Sequence, residues 1–273
     1  MNRSLAKANA SGYAPVNGLE MYYEIAGAGD PLVYIPPAFG CAGMKSFPQL
    51  TARHSVITMD LQGHGRTAYI AERPMSLEQN ARDVVGLLRH LGIRKADFFG
   101  ESYGGATALM IAIEHPDLAG RIATYGATFG PPQRALNMDM LRTSAAPAPD
   151  SRALRFQKEH YRKVAPDPGY WPEFWKKVVG IEWKGFSKEQ LVSTKAPVLI
   201  ALGDRDFVRL DHAVETFGLI PDAELAVIPN AGHFALFSEP ERVIPVIEGF
   251  LRAAGRNIQV ATAEVGYQPG ESR

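Results

Sequence analysis

One cysteine, Cys41, is all the chain has among 273 residues, and so scarce a thiol excludes an internal disulfide framework. An excess of one charge is missing as well: Lys plus Arg and Asp plus Glu each total 29, and like charges form no long block. That balance argues against a nucleic-acid partner. No apolar run approaches the roughly 18 residues of a membrane span, and "MNRSLAKANASGY" has basic residues with no apolar stretch of signal-peptide length behind them. The expectation is a soluble cytoplasmic protein that engages no membrane. With no H-E-x-x-H motif and no Cys/His cluster, no metal site is expected either.

What is present is an ordinary globular composition, 46% apolar and 21% charged, with 20 prolines that punctuate loops. A chain of this length suits one large α/β domain or two small ones, and buries about three quarters of its unfolded surface. "VNGLEMYYEIAG" offers an Asn-Gly turn before an alternating run, the signal of a hairpin leading into a strand. "PLVYIPP" (Pro31 to Pro37), "SVITMDL" (Ser55 to Leu61), "KADFFG", "RIATYGA", "PVLIALG" and "AELAVIP" read as further strands. Between them lie helical patterns. The clearest is "SLEQNARDVVGLLRHLGI", where Leu77, Ala81, Val84, Leu88 and Leu91 recur at three- and four-residue spacing and Ser76 with Gln79 suggests a capping box. "YGGATALMIAIEHPD" is apolar nearly all round, as a helix buried on several faces must be. "RLDHAVETFGLI" and "PERVIPVIEGFLRAA" supply two more helices, the last opening with proline.

Strands alternating with helices predict a mostly parallel, doubly wound α/β sheet covered on both faces. Residues 131–195 break the alternation. They contain no convincing strand, all three tryptophans and the proline-broken "TSAAPAPDS", and read as a helical cap inserted between two parts of one core domain, 1–130 and 196–273. Ligands sit at the strand ends of open α/β sheets, which is where such a cap would fold over.

The polar residue that asks for an explanation is Ser102 in "FFGESYGGAT". Gly100, Ser102 and Gly104 spell G-x-S-x-G between an incoming strand and an outgoing helix, the context this motif requires. The turn is so tight that its neighbours must lack side chains, and it lifts the hydroxyl off the sheet at a helix N-terminus. By itself the pattern also fits a glycine-rich turn with a capping serine. A serine hydroxyl is a poor nucleophile near neutral pH and needs a base and a group to orient that base. "ALGDRDFV" puts Asp204 and Asp206 just past a strand end, and "IPNAGHFALF" puts His233 just past the next.

With "DLQGHGRT", "GESYGG", "GDRD" and "NAGHF" in this order, the chain resembles the α/β-hydrolase fold superfamily from about Gly18 to Leu251. The resemblance implies Ser102 as nucleophile, Asp206 as acid and His233 as general base. Asp206 is preferred to Asp204 because the family's acid is usually the second of a G-D-x-D loop. Members often carry His-Gly-X after the third strand, with the X backbone N–H as half of an oxyanion hole; here Pro36, Pro37 and Ala38 stand there, and two prolines remove two donors. Ala38 and Tyr103 are the remaining candidate donors, with Phe39 N–H behind them. Since one donor is worth about 3 to 4 kcal/mol in the transition state, the placement of Ala38 matters greatly. His64, in "QGHG", is expected to support its turn; His90, His115 and His160 to sit at surfaces or caps; Cys41 to be an ordinary buried thiol. Glu101 is left open between a buried ion-pair partner and a site carboxylate.

The expected activity is cleavage of a small to medium apolar or aromatic carboxylic ester through an acyl-enzyme, with no cofactor. Phe39, Phe129, Trp171, Trp175, Phe207 and Phe234 are the expected substrate-contacting aromatics, although the stripe Trp171, Phe174, Trp175 and Val178 also suits the core beneath the cap. Aspartate stands in place of the serine in related dehalogenases and epoxide hydrolases, which argues against both. The same triad would serve a C–C bond hydrolase, a lactonase or a cofactor-free perhydrolase, and the scaffold would serve a ligand-binding receptor. The tail "RNIQVATAEVGYQPGESR" is either a disordered extension or, through "IQVATAEV", an edge strand pairing in a homodimer.

Overall fold

Asn17 and Gly18 both take positive φ, 50° and 86°, the primed-turn geometry whose twist matches that of the flanking strands. They join β1 (Ala10–Val16) antiparallel to β2 (Leu19–Ala26), so the expected hairpin is present. The structure, a computed structural model, describes residues 10–144, 148–151 and 154–252; the tail Arg256 to Arg273 lies outside them.

Six more strands follow: β3 (Asp30–Ile35), β4 (His54–Met59), β5 (Ala96–Glu101), β6 (Ala119–Tyr125), β7 (Val198–Gly203) and β8 (Ala223–Ile228). The sheet runs β1-β2-β4-β3-β5-β6-β7-β8, with β2 antiparallel to both neighbours and every pair from β4 to β8 parallel. The predicted mostly parallel α/β sheet is therefore the observed one. Period-2 alternation divides the core between its faces. Val33, Phe98 and Ile122 pack with α2 (Leu77–His90) and α3 (Tyr103–Glu114) on one side. Leu32, Phe99 and Leu199 pack on the other with α1 (Pro48–Thr51) and the closing helix Pro240–Arg252.

One expected local motif forms only by half. Ser76 Oγ accepts the Gln79 N–H at 3.1 Å, but the Gln79 side chain turns the other way, its Oε1 accepting from Arg82 and its Nε2 donating to Asp83, instead of returning to the cap. The complete capping box heads a different helix, where Ser187 and Gln190 satisfy one another.

Between β6 and β7 come α4 (Pro132–Ala135), α5 (Met138–Ser144), α6 (Arg155–Val164), a 3-10 turn, α7 (Trp171–Val179) and α8 (Lys188–Val192), with no strand among the described residues. Trp171, Phe174 and Val178 share one buried face of α7 and form a separate small core with Leu154 and Tyr161, against which Phe39 packs. Past β7, α9 (Leu210–Leu219), α10 (Ala235–Ser238) and α11 (Pro240–Arg252) complete the described residues. No helix among the described residues is long and apolar enough to cross a membrane.

Candidate active site

Ser102 sits between β5 and α3 with φ 52° and ψ −117°, a backbone state that costs a non-glycine residue about 1 to 3 kcal/mol. Its neighbours show why glycine flanks it. A Cβ on Gly100 would lie 2.4 Å from the Gly104 carbonyl oxygen, and one on Gly104 would lie 2.1 Å from that of Ile35. The turn closes because neither has a side chain, and Ser102 N–H donates to Tyr125 C=O on the adjacent strand (2.8 Å).

Two and three strands along the sheet the partners assemble. Asp206 follows β7 and His233 follows β8, and both are buried. His233 Nδ1 lies 2.9 Å from Asp206 Oδ1, and His233 Nε2 lies 3.1 Å from Ser102 Oγ. With the Nδ1 proton donated to the carboxylate, Nε2 is left to accept from the hydroxyl. Val208 N–H donates to the same Asp206 oxygen (2.9 Å) and fixes the carboxylate. Asp204, by contrast, is exposed, and its N–H spends itself on Ile228 C=O.

Two supports of this arrangement are not evident from sequence. Gly126, at the end of β6, has φ 62°, and a Cβ there would lie 2.9 Å from His233 Nδ1 and 3.1 Å from Asp206 Oδ2. Tyr125 O–H donates to Gly232 C=O (2.7 Å), tying the residue before His233 to the sheet. The available signal was a Tyr-Gly pair closing the strand beside the serine turn.

Opposite the serine, the loop after β3 is held at two carbonyls. Pro37 C=O accepts from Gly40 N–H (2.8 Å), and Ala38 C=O lies 2.7 Å from His64 Nε2. The two peptide planes flanking Ala38 are thereby fixed, and with them the Ala38 N–H. Tyr103 N–H belongs to the first turn of α3, where no intrahelical acceptor exists.

Ser102, His233, Ala38 and Tyr103 all line a cavity of about 800 Å³ whose wall is mainly apolar. Phe39, Phe207 and Phe234 line it too, and the Phe207 ring lies over His233 at 3.9 Å. Phe129, Trp171 and Trp175 do not. Phe129 packs on Phe186, Trp171 is buried with its Nε1–H on Pro149 C=O, and Trp175 packs against the α7 core. Their place in the wall is taken by Leu136, Leu141, Ile181, Trp183 and Phe237.

Residues 25–246 match the family model described as the alpha/beta hydrolase family. The chain belongs to the alpha/beta hydrolase family. It is 27% identical to the 2-hydroxy-6-oxo-6-phenylhexa-2,4-dienoate hydrolase of Comamonas testosteroni, over 91% of this chain and 98% of that one. It is 26% identical to the sn-1-specific diacylglycerol lipase of Mus musculus, over 76% of this chain and 74% of the lipase. The solved 2-hydroxy-6-oxo-6-phenylhexa-2,4-dienoate hydrolase of Rhodococcus sp. strain RHA1 superposes with a TM-score of 0.74 at 21% identity, covering 90% of this chain and 99% of the other, and so shares its fold.

The remaining polar residues of this hydrolase now have places. Glu101 is a buried ion-pair partner, bonded to Lys45 and accepting from Tyr34 O–H (2.9 Å), and it also lines the cavity. Tyr34, buried beside that carboxylate, is pushed well above the ordinary phenol range, first by burial and then by Glu101. His64 is buried between the Ala38 and Gln62 carbonyls, and burial holds its pKa below the usual value. Cys41 is buried, which pushes its thiol up and makes it a weak nucleophile. His115 caps α3 with its N–H on Ile111 C=O.

Proposed function

We propose that this hydrolase cleaves small to medium apolar or aromatic carboxylic esters through an acyl-enzyme on Ser102. The observation that carries the reading is the 3.1 Å contact between Ser102 Oγ and His233 Nε2 inside a largely apolar cavity. His233 takes the hydroxyl proton as Oγ bonds to the ester carbonyl carbon, and Asp206 stabilises the imidazolium that results. Ala38 and Tyr103 N–H groups receive the oxyanion. Collapse of the intermediate expels the alcohol, which leaves with the proton from His233; water then repeats the sequence and frees the acid. Every proton in this cycle is carried by the triad, the substrate or water. Residues 131–195 act as the cap that roofs the cavity, with 1–130 and 196–273 as the core that holds the triad.

A second reading, C–C bond hydrolysis, is favoured by the similarity to the Comamonas dienoate hydrolase. A dienoate brings a carboxylate, and a buried carboxylate needs a cation. Among the described residues, the lysines lining the cavity are Lys45, already paired with Glu101, and Lys184, which is exposed. That supply suits an uncharged ester better. Assaying p-nitrophenyl esters of increasing acyl length beside a 2-hydroxy-6-oxo-dienoate separates the two: faster turnover of an apolar ester is expected, and turnover of the dienoate alone would put the C–C reading first.

A further inference from the structure

Among the described residues, Lys45 and Glu101 form an ion pair in the wall of the mainly apolar cavity, with side chains only 13% and 4% exposed, while Glu182 and Lys184, which also line it, are exposed. Glu101 Oε2 takes both the Lys45 ammonium and the Tyr34 hydroxyl, and Glu101 is chain neighbour to Ser102. An ammonium has three N–H donors, and one is spent on Glu101. The donors left over belong to a residue that lines the cavity. A ligand oxygen that reaches this wall beside Ser102 would therefore meet an ammonium donor held in place by its ion pair.

We propose that the Lys45–Glu101 pair is a polar subsite that receives an uncharged oxygen-bearing group, a hydroxyl or a carbonyl, on the substrate of the ester hydrolysis proposed above. Charge balance selects the class. The pair is already neutral, so an additional carboxylate would leave one uncompensated negative charge in a low-dielectric cavity, whereas a neutral oxygen satisfies the ammonium at no such cost. A hydroxyl fits best, since it accepts from Lys45 and can donate to Glu101. The competing view is that the pair merely anchors the loop carrying Ala38; that role would alter stability without discriminating between ligands.

The test separates binding from turnover. The full-length Ser102→Ala protein, which cannot form the acyl-enzyme, is titrated calorimetrically with methyl hexanoate, with each of its monohydroxylated isomers and with monomethyl adipate. At least one hydroxylated isomer is expected to bind about tenfold tighter than methyl hexanoate, and monomethyl adipate more weakly. Adding Lys45→Met with Glu101→Gln, which removes both charges together, should bring the hydroxyl preference to about one. Lys45→Arg retains the ion pair but presents its donors in a planar fork, and should cut the preference at least about threefold even if the double substitution fails to fold. No hydroxyl preference in the Ser102→Ala protein, or an undiminished preference in either folded variant, overturns the proposal. Failure of the ester reading itself would show separately, as wild-type protein that binds these esters without hydrolysing any.

Discussion

Gly126 and His233 are packed so closely that a single methyl group on the glycine would lie 2.9 Å from the imidazole Nδ1. The bare α-carbon also sits at φ 62°, the left-handed region that favours glycine and strains an alanine. Gly126→Ala should therefore displace His233 from Asp206 and lower kcat by about 10²-fold, the lower range of what general-base catalysis supplies. Steady-state ester kinetics together with a melting curve checks this, because an unfolded variant would lose its cooperative transition as well as its activity.

Asp206 and Asp204 should separate cleanly. Asp206→Asn keeps the shape but favours the wrong imidazole tautomer, and kcat should fall on the order of 10⁴-fold. Asp204→Asn alters an exposed side chain and should stay within about threefold of wild type. Parallel kinetics of the two variants decides which aspartate orients the base.

Tyr125→Phe removes one hydroxyl and leaves the Gly232 carbonyl without its donor. A melting experiment should show a loss of about 1 kcal/mol. Activity should fall as well, because the released carbonyl belongs to the residue preceding His233.

His64 makes stability depend on pH with a definite sign. Burial lowers its folded-state pKa below the unfolded value of about 6.5, so between those two values the unfolded chain binds a proton that the folded chain refuses. Its contribution is therefore fully present above about pH 6.5 and is lost as pH falls toward the folded pKa. Chemical denaturation across pH 5 to 8 should show a steeper acid-side loss in wild type than in His64→Gln.

The legible parts of this molecule were those written over short stretches of chain. Gly100, Ser102 and Gly104 announce their turn because the motif lies within five consecutive residues and Gly100 answers to a clash with Gly104, although Gly104 itself answers to distant Ile35. Asn17-Gly18 announces the hairpin because both of its positive-φ residues are adjacent in the chain. Gly126 and Tyr125 stayed hidden because their reasons, His233 and Gly232, lie about a hundred residues away. Aromatic content between β6 and β7 was evident, but which rings meet the cavity depends on packing: Trp171 turns inward onto Pro149, while Trp183 lines the wall. Gln79 had the spacing for a capping box, yet its Oε1 accepts from Arg82 while its Nε2 donates to Asp83.

The most direct test of the account is hydrolysis of a p-nitrophenyl ester series by wild type and Ser102→Ala. Wild type should turn over the apolar members, and replacing the Ser102 hydroxyl should lower kcat by about 10⁶-fold. Equal, slow rates from both proteins would contradict it, because Ser102 would then be no more than a strained turn.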